Sequence, residues 1–205
     1  MITLKNAAQI TAMRDAGRIT GEALLIARDM VRPGISTYEI DQAIRHHIEK
    51  CGATPAFLGY HGFPASACIS INDEVIHGIP AKDRILKDGD IVKIDTGATY
   101  RGYVGDSART IPVGNVSEEA KKLIQVTRDS FWAGVEKLEA GNRLGDVGSA
   151  IDTLVRQNGF STVKRYVGLV FVVLKKNSEE LFLWGHCLLH MRLFGFRRLS
   201  FSYTS

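Results

Sequence analysis

Pro33-Gly34-Ile35-Ser36-Thr37-Tyr38-Glu39-Ile40-Asp41-Gln42-Ala43-Ile44 and Ala140-Gly141-Asn142-Arg143-Leu144-Gly145-Asp146-Val147-Gly148-Ser149-Ala150-Ile151 are two versions of one pattern. Gly34 aligns with Gly141, Glu39 with Asp146, Ala43 with Ala150, Ile44 with Ile151 and Gly52 with Gly159, always 107 residues apart. Solenoid units repeat every ~20–50 residues, so this spacing describes two related half-domains instead, each a helix pair followed by strands. Any two amphipathic helices closed by glycine share part of such a pattern. The constant spacing is what favours a repeat.

The local chemistry around each copy supports the helix reading. Apolar residues at helical spacing (Ile10, Met13, Leu24) predict a helix over 6–30, stopped at Arg32-Pro33-Gly34. Ser36 and Glu39 form a capping-box pattern. Ile40, Ile44 and Ile48 then recur every four residues as a buried stripe, and Gly52 closes the helix. Ser117-Glu118-Glu119 opens another helix, with a good N-cap and acids in the first turn. A further helix is expected over 146–157, with Val147, Ile151 and Leu154 inward and Gly159 at its end. Strands are expected at Cys68–Ile71, Ile91–Asp95 and Val104–Ile111, which makes this a mixed α/β (α+β) chain.

The chain has 205 residues, 45% hydrophobic and 23% charged, the balance of a soluble globular domain. Net charge is +4 and the pI about 9.0, with basic residues scattered, so no specific nucleic-acid partner is expected. Cys51, Cys68 and Cys187 are widely spaced and form no CxxC, which fits a reduced, cytoplasmic compartment. The N-terminus lacks a charged segment followed by an apolar core, so no signal peptide is expected. No membrane association is expected either, since the most apolar run, Leu169–Leu174, is far too short to span a bilayer.

The chemistry sits in a predicted hairpin, Ile94-Asp95-Thr96-Gly97-Ala98-Thr99-Tyr100-Arg101-Gly102-Tyr103-Val104-Gly105-Asp106-Ser107-Ala108-Arg109-Thr110. A turn centred between Tyr100 and Arg101 sets Asp95 directly across from Asp106. Directly opposed residues have Cβ atoms roughly 4.5–5.5 Å apart. Two carboxylates that close cannot both ionise readily unless a cation lies between them. Oxygen donors of this kind suit a divalent metal. A solvated surface hairpin with two acids reads equally well from this segment alone.

This hairpin resembles the signature of the type I methionine aminopeptidases, and three more segments carry the resemblance. They are Thr54-Pro55-Ala56-Phe57-Leu58-Gly59-Tyr60-His61-Gly62-Phe63-Pro64, Ser70-Ile71-Asn72-Asp73-Glu74-Val75-Ile76-His77-Gly78-Ile79-Pro80 and Leu86-Lys87-Asp88-Gly89-Asp90-Ile91-Val92. The likeness runs over residues 1–168, read as a catalytic-type domain. It implies the pita-bread fold: two pseudo-symmetric α/β halves around two divalent metal ions (cobalt, manganese, iron or zinc). It implies removal of the initiator methionine from nascent polypeptides, at the ribosome among other places, when the second residue is small, by a monomeric cytoplasmic enzyme.

Carried over residue by residue, Asp95 and Asp106 are the aspartate metal ligands. His77 is the catalytic histidine that hydrogen-bonds substrate near the scissile bond. Tyr60 and His61 line the pocket for the methionine side chain, where an aromatic wall suits a thioether. For Tyr60 plain packing is an equal alternative, and His46 and His47, on a predicted helix, read as structural.

The resemblance breaks after Arg165-Tyr166-Val167-Gly168. The family continues His-Gly-Ile-Gly, whose histidine is a metal ligand; here Leu169 follows, and the two glutamate ligands find no matching motif. Residues 169–205 contain no Asp and no Pro and read as an aberrant apolar tail, leaving the second half incomplete. The change resembles a shifted reading frame or a truncated gene product. Re-reading the coding DNA tests this: without an alternative frame that restores His-Gly-Ile-Gly, the idea fails. The expectation is therefore impaired metal binding and low or no activity, with a non-catalytic pita-bread remnant or binding protein as the alternative.

Overall fold

A computed structural model describes residues 4–162 and the strand segments 171–176 and 179–184. Helix α1 spans Ala7–Met30 and α2 spans Thr37–Lys50. Both begin with a reciprocal cap that satisfies backbone N–H groups the helix leaves open. Gln9 N donates to Asn6 Oδ1 at 2.9 Å and Asn6 N to Gln9 Oε1 at 3.0 Å. Glu39 N donates to Ser36 Oγ at 3.2 Å and Ser36 N to Glu39 Oε2 at 3.0 Å.

Strands β1 (Thr54–Pro55), β2 (Ala67–Ile71), β3 (Ile91–Tyr100) and β4 (Tyr103–Pro112) follow. The sheet is antiparallel: β1 and β2 pair in succession along one edge of β3, and β4 pairs along the other. Ile19, Ala23, Leu24 and Ala27 of α1 join Ile40, Ile44 and Ile48 of α2 against Ile69, Val92, Ile94 and Ala98 of the sheet. The every-fourth stripe of α2 is thus wholly buried, as its spacing predicts.

α1 lies almost in contact with the β3–β4 hairpin. A Cβ at Gly105 would collide with the Ala16 carbonyl, so only glycine permits this approach. Thr20 Oγ1 fills the seam, accepting from Ala98 N at 3.2 Å and lying 3.1 Å from the Gly105 carbonyl.

The second half repeats the first. Helix α3 spans Glu118–Val135, capped by Ser117, whose Oγ accepts from Ala120 N at 3.1 Å. Helix α4 spans Leu144–Gln157 and strand β5 Ser161–Thr162. Both ends of α2 and α4 differ by 107, as do both ends of β1 and β5. The glycines flanking each copy share left-handed backbone: Gly34 and Gly141 have φ 88° and 101°, Gly52 and Gly159 φ 69° and 86°. Helix α4 starts two residues before the predicted Asp146, because Arg143 N already donates to Asp146 Oδ2 at 2.7 Å.

Beyond the break in resemblance, β6 (Phe171–Lys176) pairs antiparallel with β5, and β7 (Glu179–Trp184) with β6. Part of the stretch expected as an aberrant tail is therefore sheet; its remaining residues lie outside the described ones. Among the described residues, no helix is long and apolar enough to cross a membrane.

Candidate metal centre

The turn joining β3 to β4 decides where the two aspartates meet. Tyr100 pairs with Tyr103, leaving a two-residue turn of Arg101 (φ 50°) and Gly102 (φ 78°). Two consecutive left-handed residues make the turn whose twist matches a β-hairpin. The turn centre therefore falls between Arg101 and Gly102, not between Tyr100 and Arg101. This corrects the predicted register: Asp95 lies opposite Ala108, and Asp106 opposite Gly97. The shift moves the partner by two residues, so both aspartates still share one face and become diagonal neighbours.

The diagonal is close enough for the two carboxyl groups to hydrogen-bond each other. Burial, then the charge of Asp106, raises the pKa of Asp95 well above the usual carboxylate range. Burial raises Asp106 to about 6, against the opposing pull of the Asp95 hydrogen bond and the Ser107 backbone N–H. Each aspartate nevertheless keeps part of its surface in solvent rather than lying in a sealed core. Two acids held this way share a proton, and a divalent cation touching both would favour their charged forms. The donor set thus fits a hard divalent metal.

Cys68, on β2 directly across from Asp95, was not anticipated as part of this neighbourhood. Burial, followed by the charges of Asp95, Asp106 and Asp41, raises its pKa far above the ordinary thiol value, so it stays a neutral thiol. Asp41 was also missed. Its Oδ1 accepts from Ser66 N at 2.8 Å and Ala67 N at 2.9 Å, pinning the start of β2 to α2. No sequence motif announces either residue; both depend on which strand lies beside β3.

His77 sits in a loop laid along the free edge of β2. Ile69 N donates to the Gly78 carbonyl at 2.8 Å, and Gly78 N donates to Ser70 Oγ at 3.0 Å. A Cβ at Gly78 would collide with the Ile69 carbonyl, so glycine at 78 is needed for so tight a docking. His77 itself takes the left-handed conformation, φ 60°, a strain that is uncommon outside glycine. His77 is exposed, yet the protein around it lowers its pKa below the usual histidine value. His77 therefore offers a neutral imidazole near neutral pH.

Tyr60 and His61 belong to an earlier loop. After β1 the chain is fastened over Gly97 by Ala56 N donating to its carbonyl at 2.8 Å, and Gly97 faces Asp106. The Tyr60–Gly62 turn follows, with His61 left-handed at φ 48° and the two rings edge to face, centroids 4.4 Å apart. Tyr60 is 61% exposed. Thus β3 and β4 carry the two acids, while the loops that follow β1 and β2, the strands along the other edge of β3, carry the Tyr60–His61 pair and His77.

The sequence pattern of metallopeptidase family M24 matches residues 11–179, reaching past the break at Gly168. A methionine aminopeptidase of Clostridium acetobutylicum is 50% identical over 168 residues, covering 82% of this chain and 67% of that protein. The crystal structure of a methionine aminopeptidase from Rickettsia prowazekii is similar with a TM-score of 0.79 at 36% identity, covering 90% of this chain and 74% of that one. A methionine aminopeptidase structure from Thermotoga maritima gives a TM-score of 0.82 at 30% identity, with 89% of each chain covered. These neighbours share the pita-bread architecture that the resemblance implies, which agrees with the repeat. The paired carboxylates on the β3–β4 hairpin, the repeated half-domains and these likenesses converge: the chain belongs to metallopeptidase family M24, in its methionine aminopeptidase group.

Proposed function

We propose that this site removes the N-terminal methionine from nascent polypeptides whose second residue is small. The single observation that carries the reading is the close, hydrogen-bonded Asp95–Asp106 carboxyl pair on the hairpin of an M24 chain. Asp95 and Asp106 would hold divalent cations, and such ions, when bound, lower the pKa of a water and polarise the peptide carbonyl. The chain's own residues supply the rest. His77, neutral near pH 7, would hydrogen-bond the substrate beside the scissile bond, the role its match to the family's histidine implies. Tyr60 and His61 form an aromatic wall suited to a thioether. Resemblance to the family supports a monomeric enzyme of the cytoplasm that meets its substrates at the ribosome, with cobalt, manganese, iron or zinc as metal.

In this chain the reading carries a reduction in strength. Leu169 stands where the family places a histidine ligand, and Asp95 and Asp106 alone match the family's carboxylate ligands. Loss of a ligand or its support commonly costs at least ~10–100-fold in metal affinity or activity, so weak metal binding and very low turnover are expected. That same substitution favours a second reading, a non-catalytic pita-bread protein retained for binding.

The test is metal content and methionyl-peptide hydrolysis of the purified 205-residue chain with added manganese or cobalt, beside Asp106→Ala. Metal-dependent turnover abolished by Asp106→Ala supports the aminopeptidase. Absence of both tight metal and turnover leaves the non-catalytic reading.

A further inference from the structure

A second cluster of metal-ligating side chains lies outside the site described above and shares no residue with it. Glu22 on α1, His47 in the last turn of α2 and Cys51 at the end of α2 converge, their ligand atoms all within 4.8 Å of one another. His47 Nε2 is the meeting point: 3.3 Å from Glu22 Oε2 and 3.6 Å from Cys51 Sγ. We propose that these three residues bind a zinc-like, thiophilic divalent cation and clamp α1 to α2.

The distances carry the proposal. A tetrahedral zinc has bonds of about 2.0–2.2 Å to nitrogen and oxygen and about 2.3 Å to sulfur. At tetrahedral angles these lengths separate nitrogen from oxygen by about 3.3 Å and nitrogen from sulfur by about 3.6 Å. His47 Nε2 already stands at those separations from Glu22 Oε2 and Cys51 Sγ, and all three ligand atoms lie within 4.8 Å of one another, so the ion requires little movement of the His47 ring. A water completes the fourth position, since all three residues are only partly buried.

The surroundings suit the charge. His47 and Cys51 are four residues apart, and such pairs share one helix face. They lie at the C-terminal end of α2, where the helix dipole favours a cation. Arg18 donates to Glu22 Oε1 at 2.7 Å, which holds the carboxylate in place while Oε2 faces His47. A thiolate and a carboxylate neutralise the ion's two charges. The reading of His47 as merely structural explains the Glu22 contact as an ion pair but gives no reason for a thiol at the same point. A sulfur-, nitrogen- and oxygen-bearing set selects a softer metal than the all-oxygen Asp95–Asp106 pair. The proposal therefore stands whether or not the chain hydrolyses peptides.

Site-resolved alkylation of the 205-residue chain, read by mass spectrometry with and without saturating zinc, tests it without any substitution. Zinc is expected to slow iodoacetamide modification of Cys51 by at least ~10-fold, because the metal-bound thiolate is withdrawn from reaction. Unchanged Cys51 reactivity at saturating zinc overturns the proposal. Cobalt provides the second readout: a cobalt–thiolate charge-transfer absorption that Cys51→Ser abolishes, and an affinity that Glu22→Gln lowers ~10–100-fold. An absorption that survives Cys51→Ser would place the thiolate at Cys68 or Cys187 and would likewise overturn it.

Discussion

The two halves of this molecule begin from the same pattern and end in different states of burial. α2 and α4 share length, boundaries in register and a closing left-handed glycine. α2 nevertheless buries Thr37, Ile40, Asp41, Ile44 and Ile48, whereas α4 buries Val155 alone. The first half sets its helices on a sheet whose β3 is ten residues long. In the second half, α4 packs against α3, with Ile151 half-buried and Leu144 51% exposed. Periodicity specifies which face of a helix could be buried; a partner surface decides whether it is.

The sharpest way to break that comparison is to truncate the matched isoleucines. Ile44→Ala, at a site with no exposed surface, should cost about 2–5 kcal/mol in urea unfolding. Ile151→Ala, its counterpart, should cost roughly half as much or less, because it removes a partly exposed side chain. Equal losses would mean that the second half is as tightly packed as the first.

Glycines at the two helix contacts give the next largest effect. Gly105→Ala drives a methyl into the backbone of α1 and should cost about 1–3 kcal/mol. At Gly134, a methyl would come within 2.8 Å of the Ile151 side-chain tip, which can rotate away. A thermal shift for Gly134→Ala as large as that for Gly105→Ala would show that α3 and α4 have no such freedom.

The acid pair makes the first half sensitive to pH. Folding raises the pKa of Asp95 well above its ordinary value and that of Asp106 to about 6. The folded chain therefore binds protons more strongly than the unfolded one. The pair's contribution is complete below about pH 4, the unfolded aspartate pKa, and is lost as pH rises through the folded values. Stability of the metal-free chain should thus fall across that range, and Asp106→Asn should flatten the fall. A slope unchanged by Asp106→Asn would remove the pair as its cause.

The smallest effect concerns the caps. Ser36 accepts a hydrogen bond from the third residue of α2, whereas Arg143 at the same point of α4 has no acceptor atom to offer. Arg143→Ser should complete the box and stabilise α4 by about 0.5–1 kcal/mol. Slower amide exchange confined to the first turn of α4 would confirm that origin.

Much of the local structure could be read from the chain. The Ser36–Glu39 cap, the isoleucine stripe and the glycine stops place α2 and α4 within two residues, because they act over one or two turns. The likeness of the Asp95–Asp106 hairpin was also legible, but its register was not. Nothing in Tyr100-Arg101-Gly102-Tyr103 says that Arg101 will take a left-handed conformation, and that choice moves the turn centre by one residue. Parity rescued the site, since a two-residue change of partner keeps each side chain on its face.

The repeat, the helix ends, the two acids on one hairpin face and the His77 and Tyr60–His61 segments could all be read from the chain. Everything else had to wait for the fold. It set Cys68 beside Asp95, sank Asp41 under the start of β2 and buried Lys93 as a donor to the Asn72 carbonyl. It also brought Glu22 on one helix to His47 and Cys51 on the next. The difference lies in range. Caps, turns and periodicity are settled by neighbours a few residues away, whereas burial, proton sharing and ligand clusters depend on surfaces that meet only when distant segments pack.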